Sequence, residues 1–235
     1  MHAEFLKQSK SRRYLLGISG GRDSVALLYL LLGAGYRNLV LCHVNHGLRG
    51  KESGQDAAFV RRLAAKHCLT LETERIDVAK WMAENGESME LAARNARHRF
   101  FGDCAKKHRC NRVLLAQHAD DQAETILFNL LRGSGGLKGM KFCSSHEVEG
   151  RSLEMIRPLL NVTRDEINTF LTNHKINYRD DASNDEAIAT RNRLRNEAIP
   201  LLNDIMGREI SPLLRRAEQL SLAQHSVTEG LIGGL

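Results

Sequence analysis

The sequence predicts an α/β fold, a parallel twisted sheet with helices on both faces (Rossmann-like), followed by a C-terminal helical segment. Three observations carry this. Short apolar, β-branched runs alternate with helical patterns through the first two-thirds of the 235 residues. A glycine pair stands where the first run meets the first helix. The motifs richest in charged and hydrogen-bonding groups fall just after strands, where open α/β sheets bind ligands.

In chain order, residues 14–18 read as a buried strand and 23–32 as a helix that is apolar nearly all round. Residues 39–44 form the second strand, 52–66 an amphipathic helix, and 69–76 alternate as a strand does. A long helix is expected over 87–107, with Ala93, Ala96, Phe100 and Cys104 on one face, and a strand over 113–116. Ala123, Ile126, Leu127, Leu130 and Leu131 then repeat at helical spacing. After the glycines at 133–136 the pattern changes, and 137–157 read as a loop or hairpin. Thr163 and Glu166 make a capping box that opens a helix to about Asn173. Beyond Pro212, the spacing of Leu213, Ala217, Leu220 and Gln224 gives a last amphipathic helix.

Composition narrows the class. The chain is 42% hydrophobic, yet no apolar run reaches the roughly eighteen residues of a bilayer span, so no membrane role is expected. Residues 1–13 are polar and basic and lack the apolar core of a secretory leader. The five cysteines, Cys42, Cys68, Cys104, Cys110 and Cys143, form no CxxC pair. That spacing argues against a disulfide framework, a thioredoxin-like motif and a zinc ribbon, and fits a reducing cytoplasm. Net charge is +6, and residues 91–112 carry seven bases against the single acid Asp103. Such a stripe is either the footprint of a polyanion such as nucleic acid or a solvated helix face.

The strongest local signal is Ser19-Gly20-Gly21-Arg22-Asp23-Ser24, between the first strand and its helix. Adjacent glycines let backbone N–H groups approach an anion, and the helix terminus adds orphan donors and a favourable dipole. Ser19 and Ser24 can add hydroxyl donors. The loop lacks the lysine and spacing of GxxxxGK[ST] and is not GxGxxG, so it is neither a Walker-type nor a dinucleotide loop. Taken alone it could be a tight turn with Asp23 or Ser24 as a cap.

SGGxDS resembles the pyrophosphate loop of N-type ATP pyrophosphatases, the PP-loop superfamily, which adenylate a carbonyl or carboxylate oxygen and release pyrophosphate. Further segments narrow the resemblance. His43-Val44-Asn45-His46-Gly47-Leu48-Arg49, with Glu52, Ser53 and Asp56, follows the second strand. Gln117-His118-Ala119-Asp120-Asp121-Gln122-Ala123-Glu124-Thr125 follows a later strand. Arg157-Pro158-Leu159-Leu160, Arg164-Asp165-Glu166-Ile167, Asp181-Ala182-Ser183-Asn184 and Arg191-Asn192-Arg193-Leu194-Arg195 come in that order. Over about residues 14–202 the series is similar to the tRNA(Ile)-lysidine synthetase family. The resemblance implies ATP-dependent joining of free L-lysine to C2 of the wobble cytidine in a CAU-anticodon tRNA(Ile), through an adenylated intermediate. It implies a catalytic domain over 1–205 and a helical linker over 206–235 leading to tRNA-binding domains, and it leaves a homodimer open.

The same resemblance assigns ATP to Ser19, Gly20, Gly21, Arg22, Asp23, Ser24, His43, Asn45 and Arg49. It assigns chemistry to Asp23, Asp120, Asp121, Glu124, Arg94, Arg191 and Arg195, with Mg²⁺ at Asp23 and Asp121. Asp120 and Glu124 share a helix face, with Asp121 beside them at its start. These acids could hold Mg²⁺, anchor a substrate ammonium, or simply satisfy the helix dipole. Arg191 and Arg195, four apart, could clamp phosphate. Arg94 lies within about one turn of Arg97 and His98 and is read as meeting phosphate or the adenylated base. His43, His46 and His118 read as strand-end residues near the nucleotide rather than as a zinc set, since no cysteine stands at ligand spacing. Three rivals stay open, one of them another PP-loop adenylating ligase acting on a small molecule, which the basic stretch does not predict. A tRNA thiolase would need paired catalytic cysteines or an iron–sulfur cluster, and a non-catalytic nucleotide- or tRNA-binding module would release no pyrophosphate.

Overall fold

The computed structural model describes residues 1–45, 51–78, 81–82, 86, 88–179 and 189–232, and the side chains of all of these except 51–53, 90, 189 and 222–232. A short α1 (Ala3–Leu6) precedes β1 (Tyr14–Gly17), α2 (Arg22–Gly33), β2 (Leu39–Asn45), α3 (Lys51–Lys66), β3 (Thr70–Arg75), α4 (Met89–His108), β4 (Arg112–Leu114) and α5 (Ala119–Leu131). Then come β5 (Cys143–Val148), β6 (Arg151–Ile156), α6 (Arg164–Asn173) and α7 (Ala189–Arg193). A π-helical turn, Leu194–Ala198, runs on into α8 (Ile199–Met206), and α9 (Ser211–Ile232) follows.

The six strands lie in the order β3-β2-β1-β4-β6-β5. All neighbours are parallel except β5 and β6, so the sheet is parallel as the sequence predicted, with one antiparallel hairpin at its edge where 137–157 read as a loop or hairpin. The reason is local. Glu149 and Gly150 both take positive φ, 48° and 74°, as a two-residue hairpin turn demands, and such a turn can join only antiparallel neighbours.

Strand residues alternate between two apolar layers. Tyr14, Leu16, Leu39, Leu41, Leu114 and Ile156 pack in a core with Val25, Leu28 and Leu31 of α2, Val60 and Leu63 of α3, and Ile167 and Leu171 of α6. Leu15, Val40, Cys42, Val113, Leu153 and Met155 pack on the other face with Phe100, Phe101 and Cys104 of α4. α2 is covered by α6 on its outer side, which explains its apolar character nearly all round. The expected capping box is present: Thr163 Oγ1 accepts from the Glu166 N–H at 3.2 Å and Glu166 accepts from the Thr163 N–H at 2.7 Å. α9 packs on α5, the helix that carries the acidic motif.

The order places a topological switch between β1 and β4, since the chain leaves β1 toward β2 and later returns to pair β4 on its other side. The crevice at the C-terminal ends of those two strands is where such sheets take ligands. The glycine loop follows β1 and the His118–Glu124 motif follows β4, so the fold brings them face to face.

Candidate nucleotide and acceptor site

The glycine loop is organised before any ligand arrives. Gly20 takes φ +96°, and a Cβ there would meet Val60 Cγ2 at 3.3 Å and Phe59 Cδ1 at 3.4 Å, so both backbone and space call for glycine. Ser24 Oγ donates to Gly21 O at 2.9 Å and the Ser19 N–H donates to Ser24 Oγ at 3.3 Å. The Gly21 N–H donates to Ser19 Oγ at 3.1 Å. Gly21 caps α2 without a side-chain hydrogen bond, so the first amides of the helix point into the crevice without intrahelical acceptors. The Arg22 side chain turns away, donating from Nη1 to Asn168 Oδ1 at 2.9 Å.

A residue that sequence reasoning passed over braces this loop. The Arg179 N–H donates to Gly20 O at 3.0 Å, while its Nε donates to Asp56 Oδ1 at 2.9 Å and its Nη2 to Gln55 Oε1 at 3.0 Å. Arg179 thereby ties the loop to α3. The available signal was its place just before the Asp181-Ala182-Ser183-Asn184 motif, together with Asp56 downstream of the second strand. Residues 181–184 lie outside the described residues, as do Arg49 and His46. Nothing is described of the side chains of Glu52 and Ser53.

At the crevice His118 is 1% exposed and meets three carboxylates. Its Nε2 lies 3.7 Å from Asp23 Oδ2 and 3.6 Å from Asp121 Oδ2, and its Nδ1 lies 3.4 Å from Asp120 Oδ2. The Asp120 N–H also points at Nδ1, at 3.2 Å, a contact that the neutral ring accepts; in the charged ring Nδ1–H is a donor and faces Asp120 Oδ2 at 3.4 Å. Burial opposes the charge, but the hydrogen bonds to Asp120 and Asp23 and the charges of Asp121 and Asp23 outweigh it, and the pKa is pushed up to about 10. Asp120 goes the other way, to about 2: burial works against the shift, and His118 and the Arg164 N–H bring it about. That N–H, at the start of α6, donates to Asp120 Oδ2 at 2.8 Å, so Asp120 also anchors a helix terminus.

The other acids divide their work. Asp121 Oδ2 accepts from the His118 N–H at 3.0 Å and its Oδ1 accepts from Arg195 Nη2 at 3.1 Å. Glu124 is held by Arg195 through both oxygens, at 2.5 and 2.9 Å. Burial pushes the Glu124 carboxyl up against the pull of Arg195. Burial likewise works against the Arg195 charge, but Glu124, Asp121 and Asp23 raise its pKa, and the bidentate geometry is that of an ion pair. Arg195 thus stands among the acids as their counter-ion. Arg191 lies with its guanidinium 5.4 Å from the Phe128 ring, on the same helix α5, and Arg193 points outward to Glu197 at 3.0 Å.

Asp23 differs from its neighbours. Its pKa is lowered: burial opposes this, and His118, Arg164 and Arg22 overcome it. Its Oδ1 is buried without a hydrogen-bond partner. Among the described residues no group of three or more His, Cys, Asp or Glu side chains is placed to hold a metal alone. Mg²⁺ usually needs only one or two carboxylates, completing its shell with substrate phosphates and water. An unsatisfied Asp23 oxygen beside Asp121, at the mouth of the glycine loop, fits that requirement.

His43, at the end of β2, is buried, and its Nδ1 lies 2.8 Å from Ile18 O. Burial lowers its pKa despite that bond, so the ring is neutral, Nδ1–H donates, and Nε2 is left as a buried acceptor without a partner. Asn45 ends the same strand and is half-buried.

On the β4–β6 side the charges are positive. Arg157 is 7% exposed and fixed by Nε to Gln117 Oε1 at 2.6 Å and Nη1 to Lys141 O at 2.8 Å and Ser144 Oγ at 3.0 Å. The ring of His98 of α4 lies tilted against that of His146 of β5, with centroids 5.1 Å apart and planes at 56°. Burial, then Arg97, Arg94, His146 and Arg157, drive the His98 pKa down to about 4. Cations gathered on a neutral histidine, one residue from His118 through Gln117, form a ready anion site. The sequence grouping of Arg94, Arg97 and His98 was therefore right in space, and Arg157 and His146 join it.

The cysteines do not resemble a sulfur-transfer set. Cys42, Cys104 and Cys110 are buried in the core and all five are free thiols. Hydrogen bonding to Cys104 and burial raise the pKa of Cys42, and burial raises those of Cys110 and Cys143, so these thiols stay protonated and unreactive.

A glycine loop closing on an acid–imidazolium cluster across the switch point of a largely parallel sheet defines a nucleotide-phosphate-binding α/β domain. The chain belongs to the PP-loop domain family, whose model matches residues 1–202. It is 42% identical over 211 residues to the tRNA(Ile)-lysidine synthase of Porphyromonas gingivalis strain W83, covering 89% of this chain and 45% of that protein. The enzyme of that name from Geobacter sulfurreducens is 40% identical over 212 residues, covering 89% and 44%. The chain therefore spans less than half the length of these relatives. Among solved structures, the U34-tRNA thiolase NcsA of Methanococcus maripaludis, with its 4Fe–4S cluster, superposes with a TM-score of 0.67 at 17% identity. That match covers 93% of this chain and 75% of the thiolase, and it shows the fold alone. No helix among the described residues is long and apolar enough to cross a membrane.

The charged His118 has a consequence for stability. Its folded pKa stands above the ordinary 6.5, so its contribution is complete below pH 6.5 and is lost as pH rises through about 10. The lowered Asp120 contributes above pH 3.8 and fails as pH falls through about 2. Unfolding free energy measured by denaturant titration should decline from pH 6.5 to 10, and His118→Asn should flatten that decline. Parallel slopes in the two proteins would contradict the assignment.

Proposed function

We propose that this chain adenylates the C2 oxygen of the wobble cytidine in a CAU-anticodon tRNA(Ile), then joins free lysine to C2, releasing pyrophosphate and AMP in turn. The observation that carries the reading is the meeting of Asp23, His118 and Asp121 at the glycine loop, beside the cations Arg94, Arg97 and Arg157 gathered about the neutral His98. The names of the relatives support the choice of tRNA and lysine.

In this reading the amides and hydroxyls of Ser19 to Ser24 hold the pyrophosphate portion of ATP, and the buried Nε2 of His43 accepts a hydrogen bond from the nucleoside. Asp23 and Asp121 would hold Mg²⁺, which would supply Lewis-acid neutralisation of the phosphate charge. His118, protonated on both ring nitrogens, turns Nε2–H toward Asp23 and Asp121 and adds positive charge where negative charge grows during attack at the α-phosphorus. Arg94, Arg97 and Arg157 balance the acceptor's phosphate and the adenylate. Asp120, the most exposed of the acids at 38%, is left to receive the lysine ammonium.

Incubation with ATP, Mg²⁺, labelled lysine and a CAU-anticodon tRNA(Ile) transcript should place label in the tRNA, and a methionine-type CAU tRNA should take none. Pyrophosphate release that depends on tRNA without lysine incorporation would point to another adenylating ligase. Tight tRNA binding without pyrophosphate would point to a non-catalytic module. Either result overturns the lysidine reading.

A further inference from the structure

The basic stretch of residues 91–112 is not one surface. α4 is 20 residues long, about 30 Å at 1.5 Å per residue, so its two ends serve opposite edges of the sheet. Arg94 and Arg97 stand at the catalytic edge. Lys106 and Arg109 stand at the other, where the strands begin.

There an open cavity of about 930 Å³ is lined by Arg12, Lys106, Arg109, Arg112, Arg151 and, as its one acid, Glu154. Glu154 is paired with Arg112 at 3.1 Å, so the remaining cations face no carboxylate of the lining. Arg13 lines the cavity too but is committed to Asn38 Oδ1 at 3.1 Å and His108 O at 3.0 Å. The exposed hydroxyls of Ser145 and Ser152 bond each other at 2.5 Å and leave one neutral donor for a ligand. Arg109 closes α4 in the left-handed region, φ 50° and ψ 47°, where glycine would be unstrained. The chain accepts that strain and has a guanidinium at the cavity.

We propose that this groove is a second RNA contact, gripping the phosphodiester backbone of the acceptor tRNA away from its anticodon; this rests on the reading that the acceptor is a tRNA. The groove's cations stand near the starts of β4 and β6, away from the glycine loop, while Ser144 of its lining accepts from Arg157 Nη1 at 3.0 Å and so adjoins the cations of the candidate site. Guanidinium, ammonium and hydroxyl donors spread along a concave surface suit a chain of phosphates, whereas a flat anionic membrane cannot enter it. The contacts carry no sequence information and act on affinity alone.

The test combines Arg12→Glu, Lys106→Glu and Arg109→Glu, with Arg109→Gly as a separate variant. The triple variant should raise the KM for tRNA at least about fivefold, leave kcat and the KM for ATP unchanged, and flatten the slope of log KM against log salt by about 2 units. Arg109→Gly should keep or raise the melting temperature while raising the tRNA KM about twofold, a combination that a structural role would not give. A tRNA KM within twofold of the parent for the triple variant overturns the proposal. So does loss of binding to phosphatidylserine vesicles with RNA affinity unchanged, which would assign the groove to a membrane. If the parent shows no tRNA-dependent pyrophosphate release, the acceptor reading fails separately. Equilibrium binding of the same tRNA then still decides the groove, and equal affinities for parent and triple variant reject it.

Discussion

Asp23→Ala reduces kcat for tRNA-dependent pyrophosphate release by about two to three orders of magnitude, the scale expected when a preorganised charge at the reacting phosphate is lost. The expectation rests on three facts. Asp23 sits at the opening of α2 within the glycine loop, its Oδ1 is buried with no partner, and its Oδ2 faces the charged His118 at 3.7 Å. Asp23 Oδ1 lies 4.0 Å from Arg22 Nε, and against burial His118, Arg164 and Arg22 hold the Asp23 pKa down, so its removal costs some stability as well, and a melting temperature measured beside kcat separates the two effects. Asp23→Asn keeps the shape and removes the charge, and should fall nearly as far as alanine. The tRNA KM should hardly change, because the cations proposed to meet RNA, Arg94, Arg97 and Arg157 at the site and Arg12, Lys106 and Arg109 at the groove, lie outside the glycine loop. An Asp23→Asn protein within tenfold of the parent would show that charge at this position is not what the reaction uses.

The parts of this site that were legible in the sequence are those whose partners are close along the chain. The Ser19–Ser24 loop closes on itself through hydrogen bonds spanning two to five residues, and the Thr163–Glu166 box spans three. Strand and helix alternation was legible because each buried strand carries apolar residues on both faces, and α2 is covered on both sides. What was not legible depends on chain segments meeting through the fold. Arg179 reaches Asp56 across 123 positions and Arg195 reaches Glu124 across 71. From spacing alone Arg191 and Arg195 read as a phosphate clamp, because two arginines four apart do share a helix face. No sequence spacing reveals that Glu124 and Asp121 wait on the facing helix. The basic stripe misled in another way: a helix carries its ends to opposite poles, so one run of charge becomes two surfaces.

Arg195→Met carries the largest expected effect on stability. Glu124 has a side chain only 7% exposed, and Arg195 supplies its bidentate partner. Removing one member of such a pair leaves a buried charge uncompensated and costs about 3–5 kcal/mol. For a domain of this size that lowers the melting temperature by roughly 6–20 °C. The sign of the pH dependence follows from which charge remains. Burial already raises the Glu124 pKa, and loss of Arg195 raises it further. The penalty is therefore full at neutral pH and shrinks as pH falls toward the ordinary carboxyl range, where Glu124 is protonated in both folded and unfolded chains. Adding Glu124→Leu removes the stranded charge and should return most of the lost stability, since a buried pair replaced by apolar groups of similar volume is often neutral. Activity separates structure from chemistry. Arg195 also bonds Asp121, so the double variant leaves that acid without its guanidinium and should stay well below the parent in pyrophosphate release even when its melting temperature is restored. Full recovery of both would make the pair a packing element. Recovery of stability alone assigns Arg195 to holding Asp121 in place beside Asp23 and His118.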